Sequence, residues 1–144
     1  MRMATKKKDK KYELLKNDKI QVDGRTLYRI KAIRDVVDND GNIIVNKGDI
    51  GGFVQGERNL SHFGTCWIYD DAMSYSGARV LDDAILSDMA KICGRAMVFT
   101  DGKICDEAKV SGFVRVYDGA RICDKAHVTG YHHISRIRVD YNMK

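Results

Sequence analysis

From Trp67 to Ile134 the chain divides into rows of six residues: WIYDDA, MSYSGA, RVLDDA, ILSDMA, KICGRA, MVFTDG, KICDEA, KVSGFV, RVYDGA, RICDKA and HVTGYH, followed by His133 and Ile134. The second position is aliphatic in every row except at Ser74. The sixth is Ala in eight of the eleven full rows, with Gly102, Val114 and His132 departing, and the fourth is always Asp, Gly, Ser or Thr. A fixed six-residue period held without insertion predicts a parallel β-helix, in which each repeat buries its apolar face only by stacking on a neighbour.

One row shows how. Ala120-Arg121-Ile122-Cys123 alternates with period two, so Ala120 and Ile122 point into the prism and Arg121 and Cys123 point out. Asp124-Lys125 then turns the corner, where Asp and Gly tolerate the required backbone angles. Three rows make a coil, so residues eighteen apart stack about 4.8 Å apart along the axis. Eleven to twelve rows give about four coils.

Before the repeat the pattern is antiparallel β. Ile20 and Val22 precede Asp23-Gly24, a two-residue hairpin signal, and Leu27 to Ile33 alternates as the return strand. Asp38-Asn39-Asp40-Gly41-Asn42 lacks the twelfth-position Glu and the flanking helices of an EF-hand, so it reads as a turn leading into Ile43-Ile44-Val45. Gly51-Gly52 permits a sharp reversal before Phe53. The expected organisation is a basic flexible tail (1–11), a hairpin cap (12–54), the repeat (55–135) and a C-terminal strand or cap (136–144). Residues 55–66 read as an imperfect first coil, with Phe63 in the outward third column and Cys66 in the inward sixth.

The repeat resembles the bacterial transferase hexapeptide family, whose fold is the left-handed parallel β-helix. That resemblance, not the spacing, implies the handedness. The lead-in Leu27-Tyr28-Arg29-Ile30-Lys31-Ala32-Ile33-Arg34-Asp35, Lys47-Gly48-Asp49-Ile50-Gly51-Gly52-Phe53-Val54 and Asn59-Leu60-Ser61-His62 is similar to that of small phage and prophage proteins with hexapeptide tails. This narrower likeness covers about residues 12–135 and carries no general activity. It implies an all-β, left-handed parallel β-helix with an N-terminal antiparallel cap, in a host cytoplasm.

Composition narrows the function. No apolar run is long enough for a membrane span or a secretory signal. Arg2, Lys6, Lys7, Lys8, Lys10 and Lys11 against Asp9 account for the whole net charge of +5, leaving nineteen basic and nineteen acidic residues beyond. The tail is the one place where nucleic acid could bind, but no aromatic is interleaved to stack a base. A solvated tail is the simpler reading. Cys66, Cys93, Cys105 and Cys123 have no metal spacing. Cys105 and Cys123 stack one coil apart, where a disulfide is sterically open, but reduced surface thiols are expected in a cytosolic protein.

Sorting the rows by face exposes the main candidate surface. Phe63, Leu81, Phe99 and Tyr117 recur at eighteen residues in the outward third column, flanked by Arg79, Met97 and Arg115. The other faces carry Tyr69, Ser87, Cys105, Cys123 and Tyr75, Cys93, Ser111, Thr129. An outward apolar ladder is not needed for the core and implies burial against another surface, either a second copy in a homotrimer or dimer or a foreign protein. The first column turns basic with Arg79, Lys91, Lys103, Lys109, Arg115 and Arg121, then His127 and His133, and turn carboxylates balance it.

Hexapeptide acyltransferases use a His as general base at a trimer interface. Here the candidates are His62, His127, His132 and His133, none beside an acidic residue in sequence. The same fold carries three zinc histidines in γ-class carbonic anhydrases. His127 and His132 have the spacing of two, but Lys91 stands where the third belongs, so no metal is expected. No cofactor fingerprint is present. The expected function is non-catalytic protein–protein contact, with inhibition of a host defence complex implied by the phage resemblance. An acyltransferase-like enzyme is the alternative.

Overall fold

A computed structural model describes residues 10–136. Lys6, Lys7, Lys8 and residues 137–144 lie outside the described residues, and with them most of the basic tail and of the C-terminal strand. The described chain is all-β apart from one 3-10 turn, Glu57–Asn59. No helix among the described residues is long and apolar enough to cross a membrane.

The repeat builds a three-sided parallel solenoid. One face stacks β5 (Ile50–Val54), β7 (Met73–Ser74), β10 (Lys91–Ile92), β13 (Lys109–Val110) and β16 (His127–Val128). The second stacks β6 (Trp67–Ile68), β9 (Ile85–Leu86), β12 (Lys103–Ile104) and β15 (Arg121–Ile122). The third stacks β8 (Arg79–Val80), β11 (Met97–Val98), β14 (Arg115–Val116) and β17 (His133–Ile134). Partners lie eighteen residues apart through the regular part, as Lys91↔Lys109 and Met97↔Arg115 show.

The inward columns form the core. Val80, Leu86, Ile92, Val98, Ile104, Val110, Val116 and Ile122 of the second column and Ala72, Ala78, Ala84, Ala90, Ala96 and Ala108 of the sixth are all buried. Alanine fits because the faces converge at the corners, where a larger side chain would meet the next turn. The fourth column takes left-handed φ at Asp70, Ser76, Asp82, Asp88, Thr100, Asp106, Asp118 and Asp124 and at Gly94, Gly112 and Gly130. The aspartates offset that strain through hydrogen bonds across coils. Asp70 accepts the amide of Asp88, Asp88 that of Asp106, and Asp106 that of Asp124, at 2.9–3.0 Å.

The coil number exceeds the sequence expectation of four. Phe53 and Val54, read from sequence as part of the cap, pair in parallel with Met73 and Ser74 and add a fifth rung to one face. Their separation is twenty residues, 53 to 73, so a six-residue frame misses them. The same two-residue insertion displaces Phe63. Leu60, not His62, bridges Val80, and residues 62–65 form a bend, exposed at Phe63 and Gly64, before Trp67 regains register with Ile85. Phe63 is therefore 54% exposed in a loop rather than at the base of the ladder, whereas Cys66 is buried as its column requires. Ser74, the polar residue of the inward column, donates to the Asn59 carbonyl at 2.9 Å, and Asn59 Nδ2 donates to Ala78 O at 2.9 Å. That buried network plugs the irregular coil.

The N-terminal segment extends the five-rung face. β1 (Tyr12–Val22) and β2 (Arg25–Ala32) form the hairpin expected around Asp23-Gly24, whose φ values are 50° and 77°. β2 then pairs antiparallel with β5. The short ribbon of β3 (Val36–Val37) and β4 (Ile43–Val45) closes over the Asp38 turn, whose carboxylate accepts the amides of Asp40 and Asn42 at 2.9 Å. Gly51-Gly52 does not reverse the chain. Both sit within β5, and a Cβ on Gly51 would lie 2.6 Å from Ile68 O, while one on Gly52 would collide with Ala72 O. Close backbone approach, not turning, requires glycine there. Leu27, Phe53, Met73 and Tyr75 form a second core between hairpin and solenoid, fastened by Tyr75 Oη donating to Asp23 at 2.8 Å.

Candidate interaction face

The third face presents its side chains in two stacked ladders. On the flat of the face, Phe99 and Tyr117 are parallel within 7° with centroids 5.0 Å apart, and His133 meets Tyr117 edge-on at 6.4 Å. At the preceding corner, Phe113 and Tyr131 stack within 7° at 4.8 Å, and the Arg95 guanidinium lies 5.8 Å from the Phe113 ring. Strand spacing dictates both, because residues eighteen apart are held one rung apart and flat rings at that spacing touch. Between them run Arg79, Met97, Arg115 and His133. Arg115 is pinned by donating to Arg95 O at 2.8 Å and Val114 O at 3.2 Å.

Charge is polarised across this face. The corner before it holds Ser76-Gly77, Gly94-Arg95, Gly112-Phe113 and Gly130-Tyr131, with no carboxylate. The corner after it holds Asp82, Asp83, Asp101 and Asp118. Of the residues expected from sequence, Leu81, Phe99, Tyr117, Arg79, Met97 and Arg115 come together here, and Phe63 does not. Phe113 and Tyr131 also belong to this face, although they occupy the fifth column, where the six-residue pattern predicts only a turn. The recurrence of Arg95, Phe113 and Tyr131 at eighteen-residue steps is the signal the sequence offers. Tyr131 is 76% exposed.

The two basic residues of the tail within the described region do something else. Lys11, assigned from sequence to the flexible tail, is fully buried beneath the first coil. Its Nζ donates to Cys66 O at 2.6 Å and lies 3.3 Å from Cys66 Sγ and from Gly64 O. Burial pushes its pKa below the usual lysine value, against the nearby Cys66, and burial pushes the Cys66 thiol up against the pull of Lys11. Lys10 is half-buried and paired with Glu57 at 3.2 Å. Lys11 is thereby withdrawn from solvent, while Lys10 is held at the surface by a carboxylate.

His62 lies in the same cluster, stacked on Tyr12 at 4.2 Å. Its Nδ1 accepts the Lys11 amide N–H at 3.0 Å, so Nε2 carries the proton and donates to Glu57 Oε1 at 2.7 Å. The acidic neighbour absent from the adjacent sequence is therefore supplied by the fold. Burial holds the His62 pKa below its ordinary value against the opposing Glu57 carboxylate. With both nitrogens engaged, the ring has no lone pair left to accept a proton from a substrate. Among the other candidates, His127 pairs with Lys109, which in turn pairs with Lys91, and His132 carries a buried Nε2 with no hydrogen-bond partner among the described residues. The histidines form no ligand cluster among the described residues, where the one group with metal-ligand proximity is Cys105, Asp106 and Cys123. Cys105 and Cys123 are joined in a disulfide, Cα atoms 4.7 Å apart, in place of the reduced thiols expected. Stacking in adjacent parallel strands brings the two sulfurs together.

Fold and face together define a parallel β-solenoid that presents an ordered aromatic and cationic surface. No protein-family profile and no curated protein matches the chain.

Proposed function

We propose that this protein acts by protein–protein contact through the third face, without catalysis. The observation that carries the reading is the pair of parallel ring stacks, Phe99–Tyr117 and Phe113–Tyr131, turned outward from a prism whose core is already full. Pre-aligned aromatics lose little side-chain entropy on binding, and Arg79, Arg95 and Arg115 beside them suit a partner with a negative rim. The six-residue frame supports a parallel β-helix, and the resemblance to hexapeptide-repeat proteins supports its left-handed class. The lead-in resemblance to phage and prophage repeat proteins supports a host complex, such as a defence complex, as target and the host cytoplasm as the compartment. The engagement of both His62 nitrogens weighs against the acyltransferase reading at that residue.

The test is site-specific photo-crosslinking with a probe at Phe99, at Phe113 and, as control, at Glu107 on another corner. One common adduct from Phe99 and Phe113, absent from Glu107 and lost on Tyr131→Asp, is the expected result. Adducts only from Glu107, or none from either ladder, would reject the face. Light-scattering mass distinguishes a second copy from a foreign partner, since the monomer is 16.3 kDa.

A further inference from the structure

We infer that, when its disulfide is reduced, the Cys105–Cys123 pair together with Asp106 binds one zinc ion, so that the second face alternates between a covalent staple and a metal site. The Sγ atoms of Cys105 and Cys123 and a carboxylate oxygen of Asp106 all lie within 4.8 Å of one another. The two cysteines project from β12 and β15 at neighbouring rungs, with Cα atoms 4.7 Å apart. Zinc–thiolate bonds of about 2.3 Å set two sulfurs on one tetrahedral ion about 3.8 Å apart. Opening the bond and relaxing the two side chains reaches that spacing without moving the strands.

The surroundings suit a metal rather than two idle thiols. Asp106 holds a left-handed φ of 56°, and its Oδ2 accepts the Asp124 amide at 2.9 Å, which orients the carboxylate and leaves Oδ1 for a ligand. Arg121 Nε donates to Cys123 Sγ at 3.2 Å. Two thiolates and one carboxylate against a divalent ion leave one negative charge, and the Arg121 guanidinium offsets it. Paired thiolates select zinc or another soft ion over magnesium or calcium. Cys105 is buried, but Cys123 is half-buried and Asp106 exposed, so the fourth position faces water. Three protein ligands with an open fourth position form a site whose ion can exchange.

A phosphine or dithiol reductant supplies two electrons, two protons are taken up, and the disulfide becomes two thiols. Each thiol releases one proton as its sulfur takes the ion, and no other bond changes. Oxidation by a disulfide of small-molecule thiol reverses the sequence and expels the metal.

The test titrates zinc into phosphine-reduced and oxidised full-length protein in competition with a chromophoric chelator, and repeats the titration with cobalt as a spectroscopic probe. The reduced protein should take up one equivalent and give a thiolate-to-cobalt charge-transfer band, and the oxidised protein should give neither. Cys123→Ser should abolish the band. Serine is tolerated in this column, since Ser87 occupies it one coil before Cys105. Outer partners of a metal site are worth about 10–100-fold in affinity, so losing a direct ligand in Asp106→Asn should weaken zinc by more than about tenfold. Uptake that survives Cys123→Ser, equal uptake by reduced and oxidised protein, or an unchanged cobalt spectrum in Asp106→Asn would overturn the inference.

Discussion

Phe99 and Tyr117 lie one rung apart on the third face, their rings 5.0 Å apart and within 7° of parallel. The contact is made outside the core, between side chains whose neighbours in the same strands, Val98 and Val116, are fully buried. The ladder therefore adds stability only through the ring pair itself, of the order of 0.5–1.5 kcal/mol. Phe99→Asp should lower stability by about 1 kcal/mol in urea unfolding while leaving the far-ultraviolet spectrum of the coil unchanged. The same variant should lose the crosslinked partner completely. Retained partner binding would detach the ladder from function.

Substitution at an inward position should behave oppositely. Val98 and Ile104 point inward and are buried among the core columns. Ile104→Ala leaves a cavity that stacked coils cannot close, at a cost of about 2–5 kcal/mol. Urea unfolding followed by tryptophan fluorescence measures this directly, because Trp67 is buried in the same core cluster.

The fourth-column aspartates give a third expectation. Asp88 holds φ at 58°, and its carboxylate accepts the Asp106 amide at 3.0 Å. Asp88→Asn keeps both the left-handed tolerance and an acceptor, so its effect should stay below about 0.5 kcal/mol. Asp88→Val loses both, and the strain and missing hydrogen bond together should cost about 2 kcal/mol. Equal midpoints for the two variants would contradict the ladder's role.

Acid should lower the stability of the protein over two pH windows, both set by the cluster at the capped end. Burial keeps the folded His62 neutral, against Glu57, so below about pH 6.5 the unfolded chain binds a proton that the folded one does not. Stability therefore falls as pH falls from that point towards the lowered folded value. Glu57 is also lowered, burial being outweighed by hydrogen bonds from His62 and Lys10. Its contribution is present above its unfolded pKa of 4.5 and is lost as pH drops through the folded value. In His62→Gln the first fall should vanish and the second remain, measured as urea midpoints across the acid range. An unchanged profile would assign the acid sensitivity elsewhere.

The sequence alone determined the repeat, its inward and outward columns and the first hairpin, because each depends on local pattern. Period two puts Ile122 inside and Arg121 outside whatever lies around them, and Asp23-Gly24 turns a hairpin by its own φ preferences. Leu81, Phe99 and Tyr117 could be assigned to one face for the same reason.

Tertiary structure decided what local pattern cannot carry. The two-residue insertion before Trp67 shifted Leu60 onto Val80, removed Phe63 from the ladder and admitted β5 as a fifth rung. That register depends on backbone pairing with the next coil, not on the residues inserted. Lys11 looks like any tail lysine until the first coil folds over it and Cys66 O accepts its hydrogen bond. Phe113 and Tyr131 occupy turn positions, and only the exact stacking of coils turned two corner residues into a ring pair. Asp106 joins Cys105 and Cys123 in the same way, through a rise per coil that is a property of hydrogen-bonded strands rather than of any one side chain.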